Sequence, residues 1–203
     1  MKTKTNLAIL ASGNGSNFEA IIKAVKKGYL SIGKCILITD KKDAYVRERA
    51  KKYKIKEIFV DPASFKNKKE YEKKLVEIHD KEKIDLIALA GYMKILSPFF
   101  VKYFKNKILN IHPSLLPSFS GKDAIENAYN YGCKITGVTV HFVSNAVDSG
   151  PIIMQKTVSI EEGMQLDELE NKIHKTEHKL YPKAIRLFLK NKLKIEGRRV
   201  KII

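Results

Sequence analysis

Four short apolar runs fall within the first ninety residues, separated by stretches of helical periodicity, and this alternation constrains the fold more than any other feature of the chain. The runs are Asn6 to Ala11, Cys35 to Thr39, Glu57 to Val60 and Asp85 to Ala90. Runs this short and this continuously apolar read as strands buried on both faces. Between the first two, Phe18, Ala20, Ile21, Ile22, Ala24 and Val25 share one broad helical face, which Gly28 ends. A basic helix over Tyr45 to Tyr53 fills the next interval, and after Asp61-Pro62 the residues Tyr71, Leu75, Val76 and Ile78 mark a third. The order β-α-β-α-β-α-β predicts a parallel sheet with helices on both faces.

Ligands of such sheets sit at the carboxyl ends of the strands. That rule draws Ser12-Gly13-Asn14-Gly15-Ser16-Asn17, Gly91-Tyr92-Met93-Lys94-Ile95-Leu96 and the segment starting at Asn110 to one edge. The glycine loop between a strand and a helix lets backbone N–H groups approach an anion, and the helix start adds about half a positive charge, which suits a phosphate. Phe18 stands where a dinucleotide fingerprint needs its third glycine, and the Gly-Lys-Ser/Thr ending of a P-loop is absent, so a single phosphate on a small molecule fits better. The alternative is a tight turn capped by Ser16 or Asn17 with no ligand at all.

The run Leu109-Asn110-Ile111-His112-Pro113-Ser114-Leu115-Leu116-Pro117 ends an apolar strand in an amide, an imidazole and two prolines. Both polar side chains need hydrogen-bond partners and gain nothing from an apolar core, which makes them site candidates. A satisfied core histidine followed by a rigid turn is the other reading. Further on, Asp123 to Tyr131 reads as a helix, and Lys134 to Val143 and Pro151 to Val158 as two long strands joined by Ser144 to Gly150, an antiparallel pair. A helix over Leu166 to Leu189, bent near Pro182, closes the fold, and the basic tail adds a strand or hairpin. No repeat, linker or composition shift divides the 203 residues, so one domain over 1–203 is expected.

The formal charge of +17 raises the question of a polyanionic partner. Lysine supplies most of it in scattered positions (Lys51, Lys52, Lys54, Lys66, Lys68, Lys69, Lys73, Lys74), and no aromatic-interleaved basic motif accompanies it. Solvated helix faces in a lysine-rich composition are therefore the favoured reading, and no nucleic-acid partner is expected. Cys35 and Cys133 have neither metal nor redox spacing. No apolar run approaches a membrane span, and the short run ending at Ala11 does not form a signal peptide. A cytoplasmic location, no membrane and no metal are the expectations.

Four segments carry a family resemblance. Ser12-Gly13-Asn14-Gly15-Ser16-Asn17, Ala90-Gly91-Tyr92-Met93-Lys94-Ile95-Leu96-Ser97, Asn110-Ile111-His112-Pro113-Ser114-Leu115-Leu116-Pro117 and His141-Phe142-Val143 with Asp148-Ser149-Gly150-Pro151-Ile152 resemble phosphoribosylglycinamide formyltransferases of purine biosynthesis. The likeness runs from Leu7 to about Pro182; the Asn-x-His-Pro run and the later aspartate are shared by folate-dependent formyltransferases at large. Thr176-Glu177-His178 before Tyr181-Pro182 points to the glycinamide ribonucleotide branch. The resemblance implies a single-domain Rossmann-like fold, mostly parallel and extended by C-terminal antiparallel strands. It also implies a phosphate-binding half of about 1–109 and a catalytic and folate-binding half of about 110–203.

It further implies transfer of a formyl group from 10-formyltetrahydrofolate to the amine of glycinamide ribonucleotide, with Asn110 and His112 stabilising the oxyanion and Asp148 raising the pKa of His112. Gly15, Ser16 and Asn17 would hold the phosphate, and His174 and Glu177 the ribose or glycinamide. Lys68, Met93, Lys94, Ile95, Leu96, Asn110 and the loop Ser144, Asn145, Ala146, Val147, Asp148 would line the folate pocket. Lys68 and Lys94 stand where many relatives carry arginine and lack its planar fork. Ser118-Phe119-Ser120-Gly121-Lys122-Asp123 departs from the Pro-Gly-Leu-His-like stretch common after Pro117, keeping only the glycine. The expected form is a monomer or homodimer acting on small molecules.

Three other readings compete. Methionyl-tRNA formyltransferase normally adds a C-terminal domain for which 203 residues leave no room, and formyltetrahydrofolate hydrolase usually places a regulatory domain before the glycine-loop strand. A basic nucleic-acid-binding module accounts for the charge but not for Asn110, His112 and Asp148.

Overall fold

A computed structural model describes residues 4–203; the first three residues of the expected domain lie outside the described residues. The chain divides into two compact units, residues 1–109 and 110–203.

In the first unit β1 (Leu7–Leu10) is fully buried and lies between β2 (Cys35–Thr39) and β4 (Leu86–Leu89), parallel to both. β3 (Lys56–Phe59) pairs parallel with β2 at the edge, giving the order β3-β2-β1-β4. The apolar run at β1 has no polar face because both its faces are covered. α1 (Ser16–Lys26) buries Phe18, Ile21 and Ile22, and Gly28 takes a left-handed φ of 73° just past its end. α2 (Val46–Tyr53) and α3 (Lys68–Glu82) follow, the latter capped by Asn67, whose side chain accepts from the Glu70 N–H at 3.0 Å. The tie between α3 and the strands is ionic: Glu82 accepts hydrogen bonds from Lys34 at 2.7 Å and Lys56 at 2.5 Å, which pull its carboxyl down to about 2.

α4 (Pro98–Tyr103) was not expected. Ser97 caps it and Pro98 opens it, and Phe100 and Phe104 pack against the buried His79 ring. β5 (Ile108–His112) begins in the first unit, where the Ile87 N–H donates to the Lys107 carbonyl just before it, and ends in the second.

In the second unit α5 (Ala124–Asn130) precedes β6 (Ile135–Phe142), which pairs antiparallel with β7 (Ile152–Ser159) as expected. The register shifts between Val140 and His141. α6 (Leu166–Leu189) runs unbroken through Pro182. The basic tail forms a hairpin of β8 (Leu193–Glu196) and β9 (Arg199–Ile202), and β9 returns to lie parallel to β7. The α/β class, mostly parallel with antiparallel C-terminal strands and helices on both faces, is as expected.

Candidate active site

In the first unit the glycine loop is shaped by its backbone. Gly15 adopts φ 76° and is the N-cap of helix α1 with no side-chain cap hydrogen bond, so the turn is not the Ser16- or Asn17-capped one of the alternative reading. The left-handed glycine makes the turn that a side-chain cap would otherwise stabilise. It also has no room for more: a Cβ there would lie 2.4 Å from Val46 Cγ2. The loop is braced by Arg49, whose guanidinium donates to the Asn14 carbonyl and to Asn14 Oδ1, each at 2.8 Å, and pairs with Glu19. The first turn that follows contains Ser16 and Asn17.

The segment Gly91 to Leu96 is tied to this loop within the same unit. The Ser12 N–H donates to the Gly91 carbonyl at 3.0 Å, and Ser12 Oγ accepts from the Met93 N–H at 2.9 Å. Met93 and Ile95 are exposed, at 68% and 65%, whereas Leu96 is buried. Large apolar side chains left open beside a polar loop suit a flat apolar ligand. Lys94 Nζ lies 3.8 Å from the buried carboxylate of Asp40. Lys68, first residue of α3, is exposed.

In the second unit the structure brings Asn110, His112 and Asp148 together. His112, 5% exposed, places Nδ1 3.3 Å from Asp148 Oδ2 and Nε2 2.7 Å from the Phe119 carbonyl. Both neighbours are acceptors, one facing each ring nitrogen. Asn110 Nδ2 donates to Asp148 Oδ1 at 3.3 Å. Asp148 also accepts from the Gly121 N–H at 2.8 Å, which puts the divergent loop Ser118 to Asp123 against the cluster. Burial alone would raise the Asp148 carboxyl. The hydrogen bonds from His141 and the Gly121 amide, with the charges of His112 and His141, outweigh it and hold the group below its ordinary value.

Asp148 reaches this place through a tight return of the chain. It takes φ 47°, a left-handed conformation that aspartate tolerates better than most residues. Gly150 then passes so close to the end of β6 that a Cβ would lie 1.7 Å from the Phe142 carbonyl oxygen. Ser144 and Ser149 bond across the neck of the loop at 2.8 Å, leaving Asn145, Ala146 and Val147 exposed.

His174 and Glu177 meet on α6, Nδ1 to Oε2 at 3.0 Å, with Glu177 buried and His174 exposed. That hydrogen bond raises the His174 pKa against the opposing effect of burial. One residue was missed: His141, on β6, is 2% exposed and lies within the Asn110 and Asp148 cluster. Its signal was a histidine inside a strand whose only other polar side chains are Thr136 and Thr139. Among the described residues no group of histidine, cysteine, aspartate or glutamate could hold a metal, and no helix is long and apolar enough to cross a membrane.

Comparison with known proteins gives the family. The formyl transferase family model matches residues 5–185. The phosphoribosylglycinamide formyltransferase of Bacillus subtilis (strain 168) is 43% identical over 90% of this chain and 93% of its own length, and that of Escherichia coli (strain K12) 36% over 94% and 90%. The crystal structure of glycinamide ribonucleotide transformylase 1 from Symbiobacterium toebii superposes with a TM-score of 0.96, at 40% identity, over 100% of this chain and 96% of that one. The chain belongs to the formyl transferase family, within its phosphoribosylglycinamide formyltransferase branch.

Proposed function

We propose that this chain transfers the formyl group of 10-formyltetrahydrofolate to the glycinamide amine of N1-(5-phospho-D-ribosyl)glycinamide, a step of IMP synthesis. The observation that carries the reading is the buried contact of His112 with Asp148 beside Asn110. The amine attacks the formyl carbon directly, so no protein nucleophile is required. The tetrahedral species bears a negative oxygen, and donors aimed at it are worth about 3 kcal/mol each in a site that excludes water. Asn110 and His112 supply them, and the Asp148 carboxylate, 3.3 Å from His112 Nδ1, holds the ring in place.

Gly15, Ser16 and Asn17 hold the phosphate, through the backbone and the start of α1. Glu177, with His174 held to it, contacts the ribose or glycinamide. Lys68, Met93, Lys94, Ile95, Leu96, Asn110 and the loop Ser144 to Asp148 receive the folate, much of it through backbone groups. On this division residues 1–109 bind the phosphate and residues 110–203 carry catalysis and most of the folate loop. The enzyme acts on small molecules in the cytoplasm, as a monomer or homodimer, and needs no metal.

The decisive assay measures tetrahydrofolate release from purified protein with donor and acceptor, beside a control with donor alone. Release that depends on the acceptor is the expected outcome. Equal release without acceptor identifies a hydrolase, and no release in either arm rejects the reading.

A further inference from the structure

The stretch of residues 91–97 belongs to no helix or strand, yet in the proposed function its backbone receives the formyl donor. A coil has no ladder of its own to hold its amides and carbonyls, so their positions are set by whatever grips its ends. Near the start, Ser12 Oγ accepts from the Met93 N–H at 2.9 Å. At the far end the carboxyl group of Glu72 takes both donors of one residue. Its Oε1 accepts from the Ser97 N–H at 2.7 Å, and its Oε2 accepts from the Ser97 hydroxyl. Lys94, Ile95 and Leu96 are strung between the two grips.

Glu72 lies on α3 and is 2% exposed, so its carboxyl group has given up water for these two donors. Its neighbour in the chain, Tyr71, adds a third tie, the hydroxyls of Tyr71 and Tyr92 lying 2.6 Å apart. Burial above all pushes the Tyr71 hydroxyl up to about 12 and raises that of Tyr92 as well, so the pair keeps its hydrogens near neutral pH. The same helix begins at Lys68, four residues before Glu72 and therefore on the same side of α3. Two ties from consecutive residues thus fix the helix that carries Lys68 to the segment that carries Met93, Lys94, Ile95 and Leu96. Ser12 belongs to the glycine loop as well, whereas the Glu72 hydrogen bonds reach only Ser97.

We propose that Glu72 is a positioning residue for the formyl donor: by holding Ser97 it fixes the backbone of Lys94, Ile95 and Leu96 against which the folate lies. The inference rests on the donor role proposed for residues 93–96. Glu72 acts through Ser97 and touches no reacting atom, and Asn110 and His112 are held by other partners. Its loss weakens donor binding and leaves the chemical step as it was.

The test is steady-state kinetics of the intact enzyme with each substrate varied in turn, beside titration calorimetry with tetrahydrofolate and a melting curve. Glu72→Leu fills the same buried space without an acceptor. It is expected to raise the donor KM and the tetrahydrofolate Kd about 10-fold, the scale of losing two hydrogen bonds to one group, with kcat and the acceptor KM within about twofold of wild type. Glu72→Gln can still accept from the Ser97 N–H and can donate to the Ser97 hydroxyl, so it should bring the donor KM back to within about threefold of wild type. A Glu72→Leu enzyme with unchanged donor KM, whatever its melting temperature, overturns the proposal, as does an equal rise in both KM values. Should the leucine variant not fold, Ser97→Ala removes the hydroxyl bond and keeps the N–H bond. It should raise the donor KM about threefold with the acceptor KM unchanged, and no rise overturns the proposal. Ile95→Asp sets a charge on the open apolar face of the same segment and should raise the donor KM more than about 10-fold. If it leaves the donor KM unchanged, the folate reading of the segment fails; if it raises the donor KM and Glu72→Leu does not, the positioning role alone fails.

Discussion

The glycine loop of the first unit and the polar cluster of the second are built from opposite materials. The loop is backbone: a left-handed Gly15, the first turn of α1, and carbonyls and amides braced by Arg49 and Ser12. The cluster is side chain: Asn110, His112, His141 and Asp148, with Asn110 and Asp148 separated by 38 positions. A site made of backbone recognises a charge by shape and holds it without exchanging protons. A site made of titratable side chains can change the state of one atom, which is what acyl transfer needs. Damage to the first should therefore appear in binding and stability, and damage to the second in turnover.

The largest expected effect is in the cluster. Asp148→Asn keeps size and removes the charge opposite His112, and His112→Ala removes the ring; each should lower kcat by about 10²- to 10⁴-fold, the usual range for a lost proton donor. Both KM values should change little. The prediction is sunk if either variant, shown to be folded, keeps full kcat. Next comes Gly15→Ala, which meets Val46 Cγ2 at 2.4 Å and Cβ at 2.6 Å on a backbone with φ 76°. Overpacking and left-handed strain together should cost about 1–3 kcal/mol, read as a lower melting temperature, with a raised acceptor KM. A lower kcat at unchanged melting temperature and KM would erase the distinction between the regions.

The same contrast explains what the sequence made legible. β1, β2 and β4 of the first unit could be read because burial on both faces leaves them almost continuously apolar, whereas β3 at the edge is only half-buried, and the loop could be read because its two glycines lie close together in the chain. Asn110 and His112 stood out as polar side chains ending an apolar strand, whereas Asp148 came from a family likeness, since no local pattern links it to residues so far away. His141 sits in β6, where Val138, Val140 and Phe142 are also buried, so it read as one more strand residue. A strand buried on both faces obliges any histidine in it to find a partner, and that argument would have singled it out. The short α4 was missed because six residues dominated by aromatics show no helical period, although Ser97-Pro98 carried its start signal. The parallel docking of β9 on β7 depends on where a hairpin lands, which local pattern does not encode.

A smaller effect sharpens the role of the loop. An acceptor analogue lacking its 5′-phosphate should bind about 10- to 100-fold more weakly to the wild type, the scale of one or two charge-assisted hydrogen bonds, by titration calorimetry. In Gly15→Ala the phosphate should matter less, because the amides that receive it have moved. Equal affinity for the two ligands in the wild type would reject the assignment of the loop to phosphate.

The smallest effect concerns acid stability, and it separates the regions by the way each holds its carboxylate. Glu82, in the first unit, is drawn down to about 2 by hydrogen bonds from Lys34 and Lys56. Asp148, in the second, is opposed by its own burial and is lowered only because hydrogen bonds and the two histidines outweigh that burial. A carboxyl lowered in the folded chain binds fewer protons than in the unfolded chain across that range. It therefore contributes stability above its ordinary value, and that contribution is lost as pH falls through the lowered one. Wild type should lose melting temperature on acidification more steeply than Glu82→Gln, over a window from the ordinary carboxylate range down to about pH 2. The corresponding difference for Asp148→Asn should have the same sign and be smaller, since burial cancels part of what the partners supply. Melting curves taken across that window decide it: an Asp148→Asn enzyme more acid-sensitive than the wild type would mean that the carboxylate is not held charged in the fold, and His112 would lose the charged partner that faces its Nδ1.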